Sequence, residues 1–515
     1  MSRTRTLAQT RSGPSIPPTQ QAPAPGQGVT SPHVPQPPPR AHDSRPNIVF
    51  ILTDDLSQDL VPYMHRLSAL KRHGLAFRNY FVSDSLCCPS RATIFTGNFP
   101  HDTGVFTNAD QGGGIDAFWR HHDESHVFNL ALYRAGYRTA MMGKYLNGYL
   151  EGGGYSPVPA TYVPAGWSNW DVAGWGYPEY HYTLNQDGTL HRYGGGPRNY
   201  LTNVLQRLGV GFINHAAAGR RPFFLEMATF TPHFPYVPAP RDAHRFPGLS
   251  APHPPNWNRL PTHPPSWLQG HPPLSARKIR RIDYAFRRRA QDVQSIDRLL
   301  GALEGAVARH HLSRRTYFVF SSDNGYHTGE YRLLPGKLTA FDTDIRVPLI
   351  IAGPGIWPGS TTPALAENTD LASTFTSLAG TRFSCDGHSL TPLLRGGPTP
   401  HGWRDAVLVE HHGPATSRHD PDRQNFDSGN PTTYEAIRTP GFLYVEYRNG
   451  QREFYDLRSD PYELRNVVGN ISPSGLARLH AALTRLRHCH TGRSCWRAEH
   501  LPTRFLAEVT ADSRS

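Results

Sequence analysis

The chain has 515 residues, with 53 Lys plus Arg against 41 Asp plus Glu, 37% hydrophobic and 18% charged residues, and a mean hydropathy of −0.52. It can bury a sizeable core in two to four domains, which excludes a wholly disordered chain, and it holds no run of about eighteen apolar residues, which excludes a spanning helix. The net charge of +12 suits nucleic acid, an anionic polymer or an acidic small substrate, and the 5 cysteines exclude a disulfide scaffold or a paired CxxC zinc site.

Residues 1–43 carry ten prolines within the first forty positions and almost no large apolar side chains, so they read as a disordered leader with no function of its own. Arg3 and Arg5 are followed by no apolar core, so no signal peptide is visible. Ile48–Leu52 is a strand buried on both faces, with Asp54 and Asp55 at its carboxyl end. A helix over Met64–Gly74 and a strand over Phe77–Val82 lead to SLCCPSRATIFTG, where Pro89 suits a helix's first turn and Gly97 its end. Phe128–Arg134 reads as helix, Thr139–Met142 as a strand before Gly143 and Lys144, and Phe223–Thr229 as a strand before Thr231-Pro232-His233. An amphipathic helix spans Ala285–Leu303, a strand over Thr316–Ser321 ends at Asp323-Asn324, and Pro348–Ala352 is a last buried strand.

Strands alternating with helices, with polar clusters at strand carboxyl ends, predict an α/β layered domain over 44–395 with a mainly parallel sheet. From about 396 the pattern changes. Val407–His411, Tyr434–Arg438 and Phe442–Tyr447 read as antiparallel strands and Leu476–Arg487 as a closing helix, a smaller α+β domain over 396–515. Cys489 and Cys495 either close a small disulfide loop across HTGRS, which suits an oxidising compartment, or stay free thiols.

Asp54, Asp55, Asp323 and Asn324 offer three carboxylates and an amide oxygen, a set for a hard cation such as Ca²⁺ or Mg²⁺. Each pair alone is equally at home capping a turn. Cys87 and Arg91 stand four apart, so a nucleophile and a permanent cation share one face at a positive helix end. An arbitrary Cys-Cys is more often a buried thiol pair, and His233, Lys144 and Lys337 taken singly are ordinary turn or solvated residues. Only 4 lysines occur among 53 basic residues, however, and two of them fall beside these strand ends and glycine loops. The set together supplies a metal site, a nucleophile, cations for an anion and a proton donor.

CCPSRATIFTG resembles the signature C-x-P-S-R of the type I sulfatases, whose first Cys becomes formylglycine, and in that register Cys87 is modified and Cys88 is the variable position. RPNIVFILTDDL, GKYLNGY, TPHFPY, SDNGYHTGEYRLLPGKLTAFDTDIRVPLIIAGPG and FYDLRSDPYELRN follow in the family's order over residues 45 to about 495. GKYLNGY, GWSNW, SDNGYHTG and the late cysteines are more similar to N-acetylglucosamine-6-sulfatases than to simple arylsulfatases.

The resemblance implies an alkaline-phosphatase-like α/β fold with a small C-terminal domain. It implies Ca²⁺, or alternatively Mg²⁺, held by Asp54, Asp55, Asp323, Asn324 and the formylglycine made from Cys87 by a formylglycine-generating enzyme. The hydrated aldehyde would attack sulfur through one hydroxyl and release sulfate when the second collapses to the aldehyde. Arg91 and Lys144 would hold the diol, Lys337 the sulfate, and His233 would protonate the leaving oxygen or share that task with Lys337. The substrate implied is a sulfated sugar such as N-acetylglucosamine 6-sulfate, or an aryl sulfate, and export to the periplasm or outside is implied with it. Many sulfatases carry His two positions after the residue matching Lys144; here Leu146 and Asn147 follow, leaving His327 as a candidate base for sulfate elimination. Tyr145, Asn147, Trp167, Trp170 and His327 are candidates for a sugar pocket and equally for packing.

Two alternatives follow from the same residues. A phosphonate or phosphate ester hydrolase would use the same nucleophile, and a non-catalytic binder of anionic glycans would use the net charge alone. A nucleic-acid binder lacks a recognisable module or a basic stripe interleaved with aromatics.

Overall fold

A computed structural model describes residues 34, 36, 43–110, 112–150, 156–502, 504, 505, 508 and 509. The segment 1–43, expected from the sequence to be a disordered leader, lies outside the described residues apart from Val34, Gln36 and Asp43; Gln36 donates through Nε2 to the Tyr137 carbonyl at 2.6 Å.

The buried run expected over Ile48–Leu52 is β1 (Asn47–Thr53), and its alternation serves two cores at once. Ile48, Phe50 and Leu52 join one apolar cluster, Val49 and Ile51 the other. A strand apolar on both faces needs a cover on both, and helices supply it. The first cluster takes in the helices Cys87–Thr96, Phe128–Arg134 and Asp370–Leu378; the second takes in His65–His73, Leu201–Ala217 and Ala276–Arg309.

Nine further strands complete this sheet: β2 (Leu75–Phe81), β3 (Arg138–Lys144), β4 (Asn169–Ala173), β5 (Thr183–Gln186), β6 (Thr189–Arg192), β7 (Phe223–Ala228), β8 (Thr316–Ser322), β9 (Leu349–Ala352) and β10 (Ser360–Glu367). Their order is β10-β2-β9-β8-β1-β7-β3-β4-β5-β6. The stretch β8-β1-β7-β3-β4 is parallel, while β9 and the β5–β6 edge run antiparallel. A second sheet of four antiparallel strands, β11 (Val407–His411), β12 (Tyr434–Arg438), β13 (Phe442–Tyr447) and β14 (Arg452–Asp456), packs under the helix Pro473–Arg487. Cys489 and Cys495 form a disulfide. No described helix is long and apolar enough to cross a membrane.

The long helix runs over Ala276–Arg309, nine residues earlier than its apolar periodicity suggests, because the Ser275 side chain caps it by accepting from the Lys278 N–H. The strands that sequence reading missed are short or polar. β6 is exposed throughout and therefore carries no hydrophobic signature.

Candidate active site

The register of β1 against β8 sets Thr53 opposite Ser322, so the acidic pairs that follow the two strands emerge side by side. Asp323 Oδ1 accepts from the Asp55 N–H at 3.2 Å, and Asn324 donates through Nδ2 to Asp55 Oδ1 at 2.7 Å. Asp55 adopts a φ of 64°, which turns the chain off β1, and the buried Arg289 of the long helix donates to its carbonyl.

Cys87 opens the helix Cys87–Thr96 and so stands at the positive end of its dipole. Its Sγ lies 3.0 Å from Asp54 Oδ1, 3.0 Å from Lys337 Nζ and 3.6 Å from Asn324 Oδ1. One turn on, Arg91 donates through Nε to Asp323 Oδ2 at 2.8 Å and through Nη1 to the Lys144 carbonyl at 2.9 Å. The helix stops at Gly97, whose φ of 70° is left-handed and where a Cβ would meet Cys385 Sγ at 2.7 Å. Cys88 faces the first core, its N–H held by Asn108 Oδ1 at 2.8 Å.

Lys144 ends β3, and its Nζ donates to Asp54 Oδ2 at 2.7 Å. Gly143 before it passes so close to β7 that a Cβ would sit 1.8 Å from the Ala228 carbonyl oxygen, at a φ of 107°. Lys337 donates to Asp55 Oδ1 at 2.6 Å and lies 3.0 Å from Asp422 Oδ1. His233, beyond β7, directs Nε2 to Asp422 Oδ1 at 2.5 Å and Nδ1 to the Phe234 carbonyl at 2.6 Å. All nine residues singled out from the sequence, Asp54, Asp55, Cys87, Arg91, Lys144, His233, Asp323, Asn324 and Lys337, are thus brought together, and all are buried.

The electrostatics are tightly balanced. Asp54, Asp55, Asp323 and Asp422 stand against Arg91, Lys144, Lys337 and an imidazolium at His233. Burial opposes the charge on His233, yet Asp422, Asp55 and Asp54 outweigh it and lift the group to about 9. Burial likewise opposes ionisation of Asp422, but Lys337 and His233 hold it well below the usual carboxylate range. The Cys87 thiol is pushed well up by burial first and then by Asp323, Asp422 and Asp54, so the unmodified thiol is a poor nucleophile here. The donor set fits a hard divalent cation: carboxylate and amide oxygens converge, and ligand atoms of Asp54, Asp55, Cys87 and His233 lie within 4.8 Å of one another.

Asp422 escaped the sequence reading. It sits in a polar Asp-Pro-Asp stretch that reads as a turn, and Asn108 fixes it by donating to Asp422 Oδ2 at 2.7 Å and to Asp420 Oδ1 at 3.0 Å. Other candidates fall elsewhere. His327 is fully buried, with Nδ1 at 3.0 Å from Asp344 and Nε2 at 3.1 Å from the Ser428 carbonyl, so neither nitrogen is available as a base at Cys87. Tyr145, Trp167 and Trp170 pack in the first core, and Asn147 donates to the Tyr177 hydroxyl at 3.2 Å. The cleft above the site, about 440 Å³, is walled instead by Phe234, Tyr236, Tyr284 and Tyr326, with Arg281 and Arg423 at its edge.

A family model described as Sulfatase matches residues 46–381, and one described as N-sulphoglucosamine sulphohydrolase, C-terminal, matches 329–489. The chain is 34% identical over 481 residues to N-acetylglucosamine-6-sulfatase of Homo sapiens, covering 88% of this chain and 86% of that protein. It is 30% identical over 525 residues to an arylsulfatase of Volvox carteri, covering 89% and 77%. The solved structure of BT4656 in complex with its substrate D-glucosamine-2-N,6-O-disulfate superposes with a TM-score of 0.70 at 22% identity, over 86% of this chain and 97% of that one. Phosphonate monoester hydrolase of Agrobacterium radiobacter gives 0.64 at 21%, over 89% and 96%. At such identities these two likenesses speak for the fold.

Proposed function

Because the chain belongs to the sulfatase family and is by that membership a sulfuric ester hydrolase, we propose that it removes the 6-sulfate from N-acetylglucosamine 6-sulfate units. The observation that carries this reading is Cys87 at a positive helix end, in contact with Asp54, Asn324 and Lys337. Names of the relatives supply the sugar; the cleft, aromatic-walled and edged with Arg, suits an anionic sugar.

Asp54, Asp55, Asp323 and Asn324 would hold the divalent cation, Ca²⁺ in preference to Mg²⁺ on the number of oxygen donors. When bound, such an ion neutralises sulfate oxygens and lowers the pKa of a hydroxyl beside it. Formylglycine at position 87, installed by a formylglycine-generating enzyme, would supply that hydroxyl as part of a hydrated aldehyde. The remaining work belongs to the chain. Arg91 holds Asp323 and the Lys144 carbonyl in register, so the metal-facing carboxylate and the β3 end cannot drift apart. Lys337 Nζ stands where a sulfate oxygen would arrive, 3.0 Å from the position-87 side chain. His233 carries a proton at Nε2, parked on Asp422, and would pass it to the departing sugar oxygen when the arriving ester takes the place of that contact.

The test is a mass and a turnover. The tryptic peptide Asn79–Arg91 from the native host, left unalkylated, is expected to carry an aldehyde in place of the Cys87 thiol, and the protein to hydrolyse N-acetylglucosamine 6-sulfate faster than a matched phosphonate ester. Thiols at both Cys87 and Cys88 in material from its own cell would defeat the mechanism. Faster phosphonate turnover would defeat the substrate.

A further inference from the structure

A second cavity lies at the far end of the helix Ala276–Arg309 from the cleft. It is an open groove of about 720 Å³ whose lining includes Arg66, Arg198, Arg207, Arg241 and Arg298. Arginine is abundant everywhere in this chain, so number alone says little. What the groove adds is five guanidinium groups around one cavity whose own carboxylates are already engaged. Here Asp242 is consumed by Arg298, at 2.6 and 2.9 Å, and Asp297 by the backbone N–H groups of Arg66 and Leu67, at 2.8 and 3.0 Å. Among the described residues no carboxylate lies within ion-pair distance of Arg66, Arg198, Arg207 or Arg241. Arg66 also lies over Gly301, where a Cβ would stand 3.1 Å from its Nε, so the absence of a side chain there keeps the guanidinium on the groove wall.

The groove and the cleft are set at the two ends of one seam, a helix face with a chain segment packed along it. Arg281 and Tyr284 line the cleft, Arg298 and Ala302 the groove, and with Arg288 and Gln291 between them they follow the three-and-four spacing of a single helical face. The segment 236–245 lies along that face: Arg288 Nε donates to the Tyr236 carbonyl at 3.2 Å, Gln291 Nε2 to the Arg245 carbonyl at 2.7 Å, and Arg298 to Asp242. Its exposed side chains on the way are Arg245, His244 and Arg241. From Arg281 to Arg298 the axis advances about 26 Å at 1.5 Å per residue, farther than one sugar reaches.

We propose that this groove is an exosite for the anionic chain of a polymeric sulfated glycan, gripping units inward of the terminal sugar whose sulfate lies at position 87. The assignment rests on the functional reading above: guanidinium forks suit oxyanions in general, and it is the sulfate-ester site at the other end of the seam that selects a sulfated glycan over a nucleic acid.

Arg198 and Arg241 are exposed and outside the catalytic cluster, so the double variant Arg198→Glu/Arg241→Glu is the probe. Direct binding of a long heparin oligosaccharide is measured at several salt concentrations, with duplex DNA of matched charge as competitor, alongside turnover of monomeric N-acetylglucosamine 6-sulfate. The expected result is a loss of oligosaccharide affinity of about tenfold to a hundredfold with a shallower salt dependence, and unchanged turnover of the monosaccharide. Unchanged oligosaccharide affinity overturns the exosite, and so does an equal loss on the monosaccharide. DNA bound as tightly as heparin through the same two arginines overturns the glycan assignment. A wild-type protein that ignores the monosaccharide sinks the functional reading, while the binding comparison still decides the exosite.

Discussion

Asp422 Oδ1 accepts from His233 Nε2 at 2.5 Å and lies 3.0 Å from Lys337 Nζ, so one carboxylate from beyond the large sheet governs both the proton donor and a cation of the site. His233 Nδ1 is committed to the Phe234 carbonyl, which leaves Asp422 to orient the ring from the other side and hold it charged. Asp422→Asn is expected to lower kcat on N-acetylglucosamine 6-sulfate by about a hundredfold, since a positioned acid contributes at least that much. The effect shrinks to a few-fold on a nitrophenyl sulfate, whose leaving group needs no proton. Equal losses on both esters contradict the role given to His233.

Removing the cation separates structure from chemistry. Asp54, Asp55, Asp323 and Asn324 are packed against one another and against Lys144, Lys337 and Arg91, so the folded site does not rest on a metal alone. Chelation is expected to abolish turnover and lower Tm by a few degrees, both restored by Ca²⁺, with the gain in Tm following ligand concentration. Cys87→Ala should be inactive in the presence of Ca²⁺ and lose little stability. An active Cys87→Ala protein would remove the nucleophile from position 87.

Gly143→Ala tests how Lys144 is placed. An added Cβ would stand 1.8 Å from the Ala228 carbonyl oxygen in a left-handed conformation, so β3 must shift away from β7. A cost of about 3 kcal/mol or more is expected, with activity falling further than the loss of folded protein explains, because the Lys144–Asp54 contact at 2.7 Å moves with the strand. Chemical denaturation paired with specific activity per folded molecule gives the answer. A fully active, equally stable variant would contradict it.

A pH-dependent tie joins the two sheets' domains at His101, whose Nδ1 meets Glu410 Oε2 at 2.8 Å and whose Nε2 meets the Cys489 carbonyl at 2.7 Å. Burial disfavours its charge, but Glu410, the Cys489 carbonyl and Asp102 prevail and raise the group to about 9. A folded pKa above the ordinary value of 6.5 means the folded state holds the proton more tightly. The contribution, on the order of 2 kcal/mol, is therefore fully present below about pH 6.5 and lost as pH rises through 9. His101→Gln is expected to be less stable than wild type at pH 6, with the gap closing by pH 9.5. A gap constant across that range would mean the contact is not charge-dependent.

β1, β3, β7 and β8 at the parallel centre were legible because each holds a continuous apolar run, whereas β4 beside them was not, and the strand ends carried Asp54, Asp55, Asp323 and Asn324 in plain view. The motif around Cys87 was legible for a different reason: a nucleophile and a cation one helical turn apart leave a fixed spacing in the chain. β5 and β6 were not, being short and polar at the edge of the sheet. His327 looked like a candidate base beside Asp323, yet a four-residue step in a loop says nothing about direction, and its ring turns to Asp344.

By itself, then, the sequence determined the layered α/β class, the hard-oxygen donor set, the helix that presents Cys87 and the sulfatase resemblance, because each is encoded by local periodicity or fixed spacing. Tertiary structure alone decided that Asp422 reaches His233 and Lys337, that the aromatic candidates at Tyr145, Trp167 and Trp170 belong to the core, and that the arginines scattered between positions 66 and 298 face one groove. Such relationships join residues far apart in the chain, 189 positions in the case of His233 and Asp422. They depend on which strand lies beside which and on how loops close over the sheet, and no window of neighbouring residues carries that information.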